Sequence, residues 1–288
     1  MIFTTSIILF LLIYAIAILL LRRRSLKKKP NRAWYDTNYY FFDFKCVEPS
    51  GNAAWVTSCN ANYIKGVMKL HKSIQNVNSK FPLICFYTNS ITKDQEKLLS
   101  NKGIITLPID LNSLYNPYKQ KWHEAFVKLE CWRLIDYEKV CWIDSDTIQL
   151  QNCDELMNIP IKLHGIACAV DHEVFPSLFE RVRFKMIQTG VFTLVPSLQT
   201  YEIIKSQLGK LESIDGSDQG FLTSFFALSY FENVRFISSA YNYMKRGIHR
   251  HKSFDLTRIK ILHFVGHPKP WEGGEPGYEK LQKMWDKL

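Results

Sequence analysis

In the stretch CWIDSDTIQL, Cys141 to Leu150, an apolar run leads straight into two aspartates, Asp144 and Asp146, with one residue between them. Carboxylates that close repel each other, so the pattern calls for positive charge between them. Three chemistries meet that need: a divalent cation held through carboxylate oxygens, a magnesium-assisted phosphoryl transfer, or a turn in which water does the screening. A second constellation lies far down the chain in HFVGHPKPW, where His263 offers an imidazole and Lys269 a cation around a glycine-containing loop. A metal ligand and a diphosphate clamp are what a leaving nucleotide requires, and these two residues supply one of each.

Elements must place those side chains, and from Ala53 onward short apolar runs alternate with helical periods. AAWVTS reads as a strand, YIKGVMKLHKSI as a helix, PLICFY as a strand, and TKDQEKLLSNKG as a helix capped by Thr92 and closed by Gly103. IITLPI is the next strand, WHEAFVKLECWRLI the next helix, and KVCWI the strand that runs into the aspartates. Such alternation implies an α/β fold with parallel strands and helices on both faces. Ligands of these sheets sit beyond the carboxyl ends of the strands, where the aspartate pair falls. Further on, GIACAV and GVFTLV read as strands, Leu198 to Leu211 as a helix, and KILHFV as a late strand before the loop GHPKPWEGG.

With 288 residues, 47% of them hydrophobic, the chain is long enough to bury a full core. Arg22, Arg23, Arg24, Lys27, Lys28, Lys29 and Arg32 account for seven of the ten net positive charges. The remainder is close to balanced, so no nucleic-acid partner is expected. Ile2 to Leu21 is uncharged and reads as a single transmembrane helix. By the positive-inside rule, the basic cluster after it predicts a membrane protein whose soluble part faces the cytosol. Seven cysteines, Cys46, Cys59, Cys85, Cys131, Cys141, Cys153 and Cys168, show no CxxC spacing and are expected to be buried reduced thiols.

Five stretches taken together resemble the glycogenin-like family 8 glycosyltransferases: VTSCNANYIKG, FVKLECW, YEKVCWIDSDTIQLQNCDEL, DGSDQG and HFVGHPKPW. The resemblance spans Ala53 to Trp271 and implies a Rossmann-like nucleotide-diphospho-sugar transferase fold of the GT-A type. The apolar run and the charge cluster set an anchor over residues 1–22 and a basic linker and aromatic arm over 23–52, and the resemblance implies a glycosyltransferase domain over 53–288. It further implies a retaining enzyme with a UDP-sugar donor, glucose foremost, a carbohydrate or protein acceptor, and Mn2+ or Mg2+ as cofactor, with a homodimer left open. Carried onto this chain, it assigns the metal to Asp144, Asp146 and His263, and the uracil and ribose to Thr57, Asn60 and Tyr63. It assigns the diphosphate to Gly266 and Lys269, and the donor sugar to Lys128, Asp171, Asp215, Asp218 and Gln219. Among these, Lys128, Asp218 and Gln219 carry the catalytic roles. Where the family commonly has Asn-Ser-Gly, this chain has Gln188, Thr189 and Gly190, a longer amide whose reach to a sugar hydroxyl differs.

Two other readings stand beside this one. IDSDT also resembles the start of haloacid-dehalogenase-type phosphatases, although three strand-helix units precede it here. A membrane protein that binds nucleotide sugar without turnover is the other. Trp122 and Trp271 are expected to pack in the core, as aromatic side chains usually do. Tyr241 in SAYNYM falls near the self-glucosylated position of glycogenin, and packing is the favoured role for it.

Overall fold

The computed structural model describes residues 51–111, 116–171, 186–229, 233–250 and 255–288. The basic cluster, the aromatic arm and Cys46 lie outside the described residues. Strand β1 (Ala53–Cys59) is followed by helix α1 (Ile64–Asn76), strand β2 (Leu83–Tyr87), helix α2 (Lys93–Ser100) and strand β3 (Ile105–Pro108). The sequence signals act locally as physical chemistry requires. At the start of α2 the Thr92 hydroxyl accepts from the Gln95 backbone, and the Gln95 side chain accepts from the Thr92 backbone, closing a capping box.

Strand β4 (Lys139–Ile143) ends at the aspartates, β5 (Thr147–Gln149) follows them, and β6 (Ile166–Asp171) and β7 (Met186–Leu194) come next. Helices α3 (Leu198–Gln207) and α4 (Asp218–Ser229) lead to β8 (Val234–Phe236). Helix α3 is shorter than expected, with Gly209 at a φ of 78° just beyond its end. Strand β9 (Tyr243–Met244), helix α5 (Gly247–Arg250), strand β10 (Ile261–His263) and helix α6 (Glu279–Asp286) complete the order.

The main sheet has the order β3-β2-β1-β4-β7-β6-β8. Alternate residues of each strand feed two cores, as a period of two demands. Trp55, Cys141 and Ile143 face α1 with Val67 and Leu70, whereas Val56, Val140 and Trp142 face Phe126, Trp132 and the α4 aromatics Phe221 and Phe225. The expectation of a parallel sheet is corrected at one strand: β7 runs antiparallel to both β4 and β6. Strands β6 and β8, which have two helices between them, are parallel. An antiparallel partner needs no crossover helix to carry the chain back.

A second correction concerns WHEAFVKLECWRLI. Gln120–Arg133 winds as a 14-residue 3-10 helix, not an α-helix. Phe126 through Trp132 are all buried, so no single apolar stripe imposes the 3.6-residue period. Winding at about three residues per turn brings Glu130 under Arg133, bonded at 2.6 Å, while Tyr201 of α3 donates to the same carboxylate at 2.8 Å.

The membrane localisation is corrected as well. Among the described residues no helix is long and apolar enough to cross a membrane. The longest α-helix described, α1, has 13 residues and reaches only about 20 Å, short of the roughly 30 Å a hydrocarbon core needs. The Ile2 to Leu21 stretch itself lies outside the described residues. Cys59, Cys85, Cys131, Cys141, Cys153 and Cys168 are free and buried, as expected.

Candidate active site

The two aspartates sit on a tight turn between two sheets. The Asp144 backbone still bonds to Gly190 of β7 at 2.8 Å, and Thr147 closes the turn by donating to the Asp144 carbonyl from its backbone at 3.1 Å and its hydroxyl at 2.7 Å. Helix α1 comes close to this turn at Gly66, where a Cβ would lie 2.5 Å from the Ser145 carbonyl. Strand β5 then pairs antiparallel with β10, setting His263 opposite Thr147, and Phe264 donates to the Asp146 carbonyl at 2.9 Å. Sheet register thus brings together residues more than a hundred positions apart.

The imidazole orientation is fixed from behind. Nδ1 of His263 lies 2.8 Å from Oδ1 of buried Asn242. That oxygen only accepts, so Nδ1 carries the proton and Nε2 is the nitrogen turned toward the aspartates. It stands 3.0 Å from Asp146 Oδ1 and 3.7 Å from Asp144 Oδ2. A Cβ at position 190 would come within 2.6 Å of the ring, so only glycine leaves room for it. Three ligand atoms from Asp144, Asp146 and His263 lie within 4.8 Å of one another. A lone pair facing two carboxylates is stable only with a proton or a cation between them, and this oxygen-rich set suits a hard divalent ion.

Two buried lysines flank the cluster. Lys269 bonds through Nζ to Asp146 Oδ2 and to the Phe264 carbonyl at 3.2 Å, while the Tyr63 ring lies 5.7 Å away. Lys128 lies 3.1 Å from Asp144 and 3.3 Å from Asp218. Burial disfavours the Asp146 charge, but His263, when its ring carries both protons, and Lys269 outweigh it and hold its carboxyl well below the usual range. Burial also disfavours the Lys128 charge and is outweighed by Asp144 and Asp218, so Lys128 stays firmly protonated. The Asp218 carboxyl is instead pushed up, by burial first and then by Asp144, against the pull of Lys128 and Thr189. The two partners thus shift in ways that favour the ion on one and disfavour it on the other. One ammonium serves two carboxylates at nearly equal distances.

The residues expected to face the donor sugar form a linked set. Asp218 accepts from the Thr189 hydroxyl at 2.7 Å, and Gln219 accepts from the Thr189 backbone at 3.2 Å while donating to Asp171 at 2.9 Å. Gln188 is buried in β7, with its Oε1 lacking a protein partner. Asp215 is placed differently: its Oδ1 accepts from the Ser217 backbone at 2.8 Å and hydroxyl at 2.7 Å, shaping the loop into α4. On the opposite side Asn60 caps the turn Ala61–Tyr63 and donates to Glu124 at 2.6 Å. Tyr63 packs edge-on against Trp271, and Thr57 lies fully buried in β1. Gly266 has a φ of 88° and open space where a Cβ would stand.

Sequence reasoning missed Asn242, whose only signal was its place in SAYNYM, a stretch read for its tyrosine. Tyr241 itself is buried and donates to Glu155 at 2.7 Å, which accords with the packing role. The core placement expected of Trp122 is corrected, because its ring is exposed at the surface end of the 3-10 helix. Because Asn242 orients a candidate metal ligand, Asn242→Ala is expected to weaken Mn2+ affinity by about 10- to 100-fold. Calorimetric titration of Mn2+ into the folded variant measures this, and an unchanged affinity would contradict the orienting role.

The fold defined here is shared with solved glycosyltransferases. The galactosyltransferase LgtC, solved in complex with donor and acceptor sugar analogs, superposes with a TM-score of 0.63 at 14% identity, over 82% of this chain and 96% of its own. The glycosyltransferase GlyE of Streptococcus pneumoniae TIGR4 gives 0.60 at 16% identity, over 83% of this chain and 60% of its own. Residues 55–274 match glycosyl transferase family 8, and the chain belongs to that family. Glycogenin-1 of Caenorhabditis elegans is 29% identical over 82% of this chain, which spans 54% of that relative's length. Galactinol synthase 1 of Arabidopsis thaliana is 23% identical over 79% of this chain and 75% of its own.

Proposed function

We propose that residues 53–288 form a retaining glycosyltransferase that moves a hexose, glucose foremost, from a UDP-sugar to a carbohydrate or protein acceptor. The observation that carries this reading is the convergence of Asp144, Asp146 and His263 Nε2 beside the buried ammonium of Lys269. A divalent ion, Mn2+ or Mg2+, bound by those three residues would neutralise charge on a departing diphosphate. Lys269 and the open backbone at Gly266 hold the diphosphate, with Lys269 drawn from Asp146 toward the phosphate oxygens. Lys128, locked between Asp144 and Asp218, keeps the donor-sugar side of the site electrostatically organised before the donor arrives. Asp218 and the Gln219 amide would supply the oxygen atoms that a sugar needs as it loses its leaving group, and Asp171 and Gln188 are assigned to the same sugar. Asn60 and Tyr63 would take the uracil and ribose, with Thr57 fully buried in the preceding strand.

The relatives named for glycogenin and galactinol synthase favour this reading over the phosphatase one, as does the match to a transferase family. Incubation with UDP-glucose and Mn2+, alongside a panel of other UDP-hexoses, tests it. The expected result is UDP release that stops on chelation of the metal. Phosphate release from a simple monoester, with no UDP released from any donor, would favour the phosphatase instead.

A further inference from the structure

Trp122 is the large aromatic side chain that the site described above leaves unused. It is 41% exposed, and the contact described for its ring is the ammonium of Lys121, 5.1 Å from the centroid. It lies near the start of the 3-10 helix Gln120–Arg133, whose winding of about three residues per turn sets Trp122, Ala125 and Lys128 on one line. At a rise of about 2 Å per residue, Trp122 stands roughly 12 Å from Lys128 along the same face. Lys128 is the group bonded to Asp144 and Asp218 at the donor-sugar side. Ala125 between them adds no bulk.

This end of the helix is tied to the site on two sides. Lys119 donates to the Asp215 carbonyl at 2.8 Å, joining the helix start to the loop before α4. Glu124 accepts from Asn60 at 2.6 Å, joining it to the turn after β1. The Lys121 ammonium lies over one face of this exposed indole, and the rest of the ring offers a flat apolar surface. A pyranose ring presents the matching surface, with C–H groups on its face and hydroxyls around its edge.

We infer that Trp122 is a stacking platform for a carbohydrate acceptor, holding a sugar ring at a distance from the hydroxyl that receives the hexose. The inference rests on the proposed function. The span from Trp122 to Lys128 exceeds a single ring, so the ligand is an oligosaccharide of at least two sugars, and a monosaccharide fills only one end.

The test uses the full chain labelled with 5-fluorotryptophan, in the presence of Mn2+ and UDP, with the Trp122 fluorine resonance assigned by Trp122→Phe. Maltose and lactose are the probes, and methyl α-D-glucopyranoside is the short control. The expected result is a saturable shift of the Trp122 resonance by at least one disaccharide, with a weaker response to the monosaccharide. In transfer assays, Trp122→Ala is expected to raise the acceptor KM by roughly five- to tenfold with kcat little changed, and Trp122→Tyr to restore it. A wild-type protein that releases UDP while its Trp122 resonance ignores both disaccharides overturns the platform and leaves the proposed function standing. A protein whose resonance shifts but that releases no UDP from any donor overturns the proposed function and leaves carbohydrate binding at Trp122 standing.

Discussion

Asp146→Asn is expected to lower the rate of UDP release by at least about 1000-fold, because one change removes two interactions. A neutral amide is a poor ligand for a hard cation. It also leaves the buried ammonium of Lys269 without its carboxylate, and breaking a buried ion pair from one side costs about 3–5 kcal/mol. The same variant should therefore melt at a lower temperature than the wild type, measured without added metal. A wild-type rate together with a wild-type melting temperature would contradict both roles. Asp144→Asn is expected to act more on catalysis than on stability, since Asp144 is less buried and Lys128 keeps Asp218 as a partner.

Lys269→Ala is expected to slow UDP release by about 100- to 1000-fold, the usual cost of losing one stabilising group at a developing charge. Read from sequence, this variant should leave metal binding intact. The structure sharpens that expectation, because Lys269 and a metal ion draw on the same Asp146 carboxylate. With the ammonium gone, Mn2+ affinity should hold or rise while turnover falls. Titration of Mn2+ and initial rates of UDP release on the same preparation separate the two effects, and a wild-type rate in the folded variant would remove Lys269 from the phosphate site.

What the sequence made legible follows from the physics of each element. Strands β1, β2 and β4 and helices α1 and α2 carry their periods openly, and Thr92 with Gln95 announces a helix start in four letters. The candidate metal cluster was legible because aspartates separated by one residue, a late histidine and a nearby lysine keep their chemistry wherever the chain goes. Strand direction leaves no such mark: GVFTLV reads alike parallel or antiparallel, yet its reversal is what brings Gly190 and Thr189 to the aspartates. The 3-10 helix was hidden because a segment buried all round has no stripe to count. Asn242 was hidden because one amide among many says nothing until the ring it faces is in view, and Trp122 because an indole is more often buried than displayed.

The most direct test of the account is pulsed electron paramagnetic resonance of Mn2+ bound to the full chain with UDP. The account predicts one bound ion with magnetic coupling both to an imidazole nitrogen and to phosphorus, and loss of the nitrogen coupling in His263→Ala. Bound Mn2+ that shows neither coupling, or a nitrogen coupling that survives His263→Ala, would contradict the assignment of Asp144, Asp146 and His263 as the metal site of a UDP-sugar transferase.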